Sequence, residues 1–343
     1  MTWVDSTEIT RRLGKHLGDF EARYPKVWRK LTNARQGGLD SPYLEWPEWC
    51  WVPMSAAHMV LRYYYSEAGS FGEDISRLAG LAAWRLGKGV YRFDPDYAAA
   101  IDEAVIDDDI PGSMLLRLPE WGVYVVCPVD SPIGEVKGFF AHLENDAGND
   151  RSELRILWDL DTETGPLLVG FPIYLDRPLT QGIAAVLENA YGAAQGIENP
   201  DADGDPSQFD QSTLDSYVEL AKIAIARLLV LVVTEPDIDN IDAPDQAPEP
   251  TQPGKRGRWF AAQKPTTWDV GYRVGTALRQ SQLDRTQLES DPTKQKNSPR
   301  PHVRKGHFHL YWTGPGRQEP KLRFVRPTLI GTGNLPITEV GPP

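Results

Sequence analysis

Residues 234 to 254 read TEPDIDNIDAPDQAPEPTQPG, and no other segment does more to limit how this chain folds. It holds six acidic residues and five prolines but no Lys or Arg. A run of this kind buries no core, repels itself and disfavours both helix and sheet, so it predicts an extended linker. The linker, 235–254, divides a 343-residue chain into a body, 1–234, and a C-terminal module, 255–343. Two units also suit the length, because single cores stop growing at roughly 250–300 residues.

Charge divides at the same place. Between 251 and 330 stand sixteen Lys and Arg against five Asp and Glu, a local net of +11. The whole chain carries −12, so the remainder carries −23. A basic module on an acidic body points to a polyanionic partner that the overall charge conceals. Two cysteines, Cys50 and Cys127, sit among apolar and aromatic residues, where a free thiol acts as a small hydrophobe; a disulfide framework is not expected. Met1–Thr10 carries Asp5 and Glu8 where a leader peptide needs an apolar core, and Leu228–Val233 is far short of a membrane span. A cytoplasmic protein without a membrane partner is therefore expected.

The first third has helical periodicity over Glu8–Leu31, Met54–Tyr65, Asp74–Leu86 and Asp96–Val105. The period then changes to that of strands at 122–128, 138–144, 154–160 and 166–175, followed by helices near Ile183–Tyr191 and Leu214–Thr234. After the linker, 268–278, 302–312 and 321–330 read as strands, with a turn at Gly314–Gly316. The expected class is α+β: a helix-rich N-terminal body flanking a mostly antiparallel sheet, plus a small basic β-rich C-terminal module.

The C-terminal module holds the densest chemistry. In RPHVRKGHFHLYWTGP, His302, His307 and His309 stand beside Arg300, Arg304, Lys305, Tyr311 and Trp312. Pro301 and Gly306 disfavour a helix, so alternation along a strand places Lys305, His307, His309 and Tyr311 on one face. With Lys321, Arg323 and Arg326 from the following strand, this set suits RNA: cations for the backbone, aromatics for stacking. The same residues suit a metal-independent ribonuclease, with His307 and His309 as acid and base and Lys305 or Arg304 on the phosphate. A structural ladder of His and aromatic rings is the third reading. No Cys or acid lies near enough in sequence to complete a metal site with His307 and His309, so no metal is expected. No P-loop, dinucleotide fingerprint or nucleophile elbow occurs, and no cofactor is expected.

Other candidates are set against plainer readings. WPEWCWVP (46–53) packs Trp46, Trp49 and Trp51 into six residues, either as a core cluster or as an aromatic groove for a peptide. His58 on an apolar helix reads as a core histidine. Asp159-x-Asp161-x-Glu163 is more simply a solvated turn than a Mg²⁺ site. Asp201-x-Asp203-Gly204-Asp205 fails as a calcium loop, because Pro206 stands where a glycine must turn.

WPEWCWVP, TTWDVGYRVGTAL and RPHVRKGHFHLYWTGP with KLRFVRPTLIG together resemble the type V-A anti-CRISPR family that suppresses synthesis of the CRISPR effector nuclease. That resemblance implies a silencing factor of a mobile element. It would recognise the emerging N-terminal peptide of its target and bring about loss of the encoding messenger RNA. The expected partners are thus RNA and a nascent polypeptide, the body reading the peptide and the C-terminal module the transcript. The rival from another class is an interaction protein that blocks a nucleic-acid-handling partner by contact.

Overall fold

The computed structural model describes residues 6–38, 47–68, 71–131, 134–146, 148–163, 165–185, 211–240, 242–244, 246–289 and 302–330. A seven-stranded sheet with helices on both faces organises them. In chain order the strands are β1 (Gly89–Phe93), β2 (Gly122–Ser131), β3 (Gly134–Asp146), β4 (Arg151–Thr162), β5 (Gly165–Tyr174), β6 (Ile238–Asp239) and β7 (Thr266–Val270). Their spatial order is β5-β4-β3-β2-β1-β7-β6. β2 to β5 form an antiparallel meander, whereas β1 runs parallel to both β2 and β7. The class is α+β, as the sequence indicates.

Four helices cover one face: α1 (Ser6–Arg23), α2 (Val27–Asn33), α3 (Met54–Tyr65) and α4 (Asp74–Gly87). Pro25 and the left-handed Lys26 separate α1 from α2, splitting the single helix expected over Glu8–Leu31. The other face carries α5 (Pro95–Asp102) and α6 (Gln211–Val232), whose Leu228 to Leu231 are buried in the core. Because helices lie on both sides, the inner strands bury both sets of side chains. On β2, Val123, Val125 and Cys127 enter one core, while Tyr124 and Val126 enter the other. Among the described residues no helix is long and apolar enough to cross a membrane.

Strand pairing crosses the segment 235–254. β7, beyond that segment, pairs with β1 along its whole length, Val90 opposite Thr267 and Arg92 opposite Asp269. The expected strand 268–278 ends at Val270. Gly271, with φ 77°, turns the chain into α7 (Tyr272–Glu289). A Cβ at Gly271 would lie 1.7 Å from the Tyr97 ring, so this turn requires glycine. α7 packs on α5, and Arg279 pairs with Asp94 and Asp96 at 2.9 and 2.7 Å. Part of the basic charge after the acidic segment thus neutralises acids of the body. The segment itself is held at several points. Thr234 N–H donates to Leu322 O at 2.9 Å, Gly271 N–H to Asp237 O at 2.7 Å, and Trp121 Nε1–H to Thr251 O at 3.1 Å.

Candidate nucleic-acid interface

Each of the two C-terminal strands expected from sequence breaks into a pair. β8 (His302–Arg304) and β9 (His307–Thr313) are separated at Lys305–Gly306; β10 (Glu319–Val325) and β11 (Thr328–Ile330) are separated at Arg326–Pro327. β9 pairs with β10 and β8 with β11, both antiparallel, so the two breaks fall opposite each other. Gly306 permits that approach. A Cβ there would sit 2.8 Å from the Phe324 ring and 3.2 Å from Pro327 Cδ.

Alternation along β9 decides which side chains meet solvent. Phe308 and Leu310, with Leu322 from β10, are buried in the same core as α5 and α6. Three further contacts fix the ribbon. The Val105 N–H donates to Gly306 O at 3.1 Å, the Phe308 N–H to Val105 O at 3.2 Å, and Arg117 Nη1 to Pro320 O at 3.0 Å. His307, His309 and Tyr311 therefore share the outer face. Register brings Val325 opposite His307, Arg323 opposite His309 and Lys321 opposite Tyr311. Directly opposed residues of an antiparallel pair project to the same side. The His309 ring meets the Tyr311 ring edge-on at 4.3 Å between centroids, and the Arg323 guanidinium lies 5.8 Å from the Tyr311 centroid.

Five residues named from sequence thus come together: His307, His309, Tyr311, Lys321 and Arg323. Lys305 and Arg326 are exposed at the two breaks, and Trp312 is half-exposed at the hairpin end. Among the described residues none of Lys305, Lys321, Arg323 or Arg326 joins an ion pair. His302 and Arg304 lie on β8; Arg300 falls outside the described residues. His307 and His309 have ring centroids 6.4 Å apart, and among the described residues no carboxylate pairs with either ring. This face brings cations and ring surfaces together on one side of the ribbon.

The aromatic run divides. Trp46 lies outside the described residues, and Trp49 packs half-buried against the core around α6. Trp51 does not line an open groove: it is 2% exposed, with Trp259 at 4.7 Å and Trp121 at 6.0 Å between ring centroids. Sequence spacing could not show that Trp121 and Trp259, each far along the chain, cover it.

Asp159 and Asp161 likewise form neither a solvated turn nor a cation site. Arg12 binds both carboxylates, and His16 and Tyr124 complete the shell of Asp159. Nothing local in the sequence announces that arrangement. Among the described residues no group of three or more His, Cys, Asp or Glu is placed to hold a metal ion. His58 is half-buried beside the Phe71 ring, and the 201–205 loop lies outside the described residues.

No curated protein matches the chain. A crystal structure of AcrVA2 superposes on 92% of this chain and 98% of its own, with a TM-score of 0.63 at 23% identity, which shows a shared fold. The AcrVA2-like family model, describing the anti-CRISPR type V subtype A2 family, matches residues 91–332. The match begins within β1 and runs beyond β11, taking in most of the sheet, the packed acidic segment and the whole ribbon. Since it spans well over half of the sequence, the chain belongs to the anti-CRISPR type V subtype A2 family.

Proposed function

We propose that this protein is a silencing factor of a mobile genetic element that engages RNA through the outer face of the β9–β10 ribbon while its α+β body reads a nascent peptide of the target. One observation carries the RNA reading: His307, His309 and Tyr311 share an exposed face with Lys321 and Arg323, on a ribbon whose other face is locked into the core. Cations at strand spacing attract successive phosphates, and the His309–Tyr311 pair offers ring faces to unstacked bases. Family membership supports the anti-CRISPR role, and with it the expectation of a nascent-peptide target. The openness of the histidine pair favours a binding platform over an intrinsic nuclease.

The test uses the full chain and a labelled single-stranded RNA. Log affinity should fall linearly with log salt by roughly 0.7 per phosphate neutralised. Replacing Lys305, Lys321 and Arg323 together with Gln should reduce that slope by about two. Absence of binding at low ionic strength would remove the RNA reading. Crosslinking in cells, with identification of nascent chains that co-purify, tests the peptide half separately.

A further inference from the structure

A cavity of about 690 Å³ lies away from the ribbon, between the parallel part of the sheet and the packed segment 246–252. Glu120, 6% exposed, forms part of its lining. The Tyr91 hydroxyl donates to Glu120 Oε1 at 2.7 Å, and the Gly89 N–H lies near enough to favour the ionised carboxyl. Gly87 and Gly89 press against it so closely that a Cβ on either would fall 2.0 or 1.8 Å from a carboxyl oxygen. The Trp268 indole is also in the wall. Its N–H is near enough to favour the ionised carboxyl but makes no hydrogen bond of proper geometry. The exposed Gln246 and Glu249 also line it, and among the described residues no Lys or Arg does.

The chemistry is one-sided. A buried carboxyl without a cation is costly to ionise, and burial pushes Glu120 up to about 7 despite the donors around it. A bound cation would remove that cost. A metal ion is a poor fit, since a divalent cation needs several oxygen ligands and no such group forms among the described residues. An ammonium group needs only acceptors for three N–H bonds, and Glu120, Gln246 and Glu249 are of that type.

We propose that this cavity binds a protonated primary amine, with the Glu120 carboxylate as its counter-ion and the unpartnered Trp268 N–H donating to a carbonyl beside the amine. Two sources share this chemistry, the amino terminus of a peptide and a lysine side chain. The site is independent of the RNA-binding reading, because the ribbon contributes no residue to it.

The test follows the Trp268 indole resonance in ¹⁵N-labelled full chain, assigned with Trp268→Phe. Alanyl-alanine amide presents a free amino terminus, Nα-acetyl-lysine amide a side-chain amine, and N-acetyl-alanyl-alanine amide neither. Saturable shifts are expected with one or both amines and none with the doubly blocked peptide; whichever amine binds identifies the source. Apparent affinity for the lysine probe should rise roughly tenfold from about pH 6 to about pH 8, as Glu120 ionises. Glu120→Gln should abolish the response. Ala247→Trp, at an exposed rim position, should block it without touching the carboxyl and so covers the case in which Glu120→Gln fails to fold. Millimolar amines without effect on Trp268, or an equal response to the blocked peptide, would overturn the proposal. Ribbon variants that abolish RNA binding should leave these shifts unchanged.

Discussion

Arg12 on α1 grips Asp159 on β4 through two parallel hydrogen bonds, Nε to Oδ2 and Nη2 to Oδ1, both 2.7 Å. The same guanidinium reaches Asp161 at 2.6 Å and the Leu160 carbonyl at 3.0 Å, pinning the first helix across the meander. Burial alone would raise the fully buried Asp159 carboxyl. Hydrogen bonds from His16 and Arg12 outweigh it and hold the group below its ordinary value. Arg12→Met should therefore cost about 3 kcal/mol in urea unfolding, because it strands a buried carboxylate. Arg11→Met, at an exposed position one residue away, should change stability by less than about 0.5 kcal/mol. The Asp159 contribution is present above its unfolded pKa near 3.8 and is lost as pH falls through its lower folded value.

A second buried carboxyl titrates in the opposite sense. Glu144 on β3 accepts the Met54 N–H on both oxygens, at 2.8 and 3.1 Å, and so caps α3, whose N-cap is Pro53 without a side-chain acceptor. Burial pushes Glu144 up to about 8, with Glu153 opposite it adding to the rise. Burial and then Arg155 push His142, 3.9 Å from Glu144, down to about 3. From about pH 3 to 6.5 the neutral His142 makes stability rise with pH. From about 4.5 to 8 the protonated Glu144 makes stability fall. The two oppose each other where they overlap, and only the fall continues above about 6.5. Urea unfolding between about pH 7 and 8, above the Glu120 midpoint, should show declining stability, by at most about 1.4 kcal/mol per pH unit for one proton. Glu144→Gln should flatten that decline, and a decline unchanged by the substitution would refute the assignment.

Asp237 makes a third prediction, because its carboxylate accepts the N–H groups of Arg273 and Val274 at 3.0 and 3.1 Å and caps α7 from a distant segment. Asp237→Ala should lower stability by about 1 kcal/mol. Cleavage within 235–260 should leave the two fragments associated in gel filtration. β7 supplies Trp268 and Val270 to the main core, and the ribbon supplies Phe308, Leu310 and Leu322. A fragment ending at residue 234 should aggregate, since removing β7 exposes the edge of β1.

What the sequence reveals follows from what local pattern encodes. The meander strands and α3 and α4 are legible because alternation and helical spacing are strong there. α7 is not legible. VGYRV has the β-branched and aromatic look of a strand, and the helix beginning at Tyr272 is mostly polar, with Gly271 its only local sign. The acidic segment misleads in the same way. Composition correctly excludes a core of its own, but not its packing on Trp121 and against β7. The outer face of β9 is legible because period two fixes which side chains share a side, and a Gly-Pro-Gly turn fixes the neighbour. What covers Trp51, and the burial of Asp159, are not legible because Trp259 and Arg12 come from more than a hundred residues away.

The last prediction separates a binding platform from a nuclease. If His307 and His309 act as base and acid, replacing either with Gln should abolish transcript loss in cells, an effect typically of ~10²–10⁴-fold. RNA affinity would stay nearly unchanged, because Lys and Arg supply the phosphate attraction and Gln keeps a hydrogen-bonding side chain. On a platform the order reverses: the Gln variants still deplete the transcript, whereas Tyr311→Ala and Arg323→Gln weaken RNA binding and depletion together. The geometry favours the second outcome, since His309 stacks edge-on against Tyr311 and Arg323 stands directly opposite it. Loss of one base-stacking ring should cost about 1–3 kcal/mol of RNA affinity. Thermal melting of each variant checks that the ribbon remains folded. That control is informative because Phe308 and Leu310, not the histidines, hold β9 in the core. Purified chain that cleaves RNA in EDTA, with loss of cleavage in His309→Gln, would establish the nuclease instead.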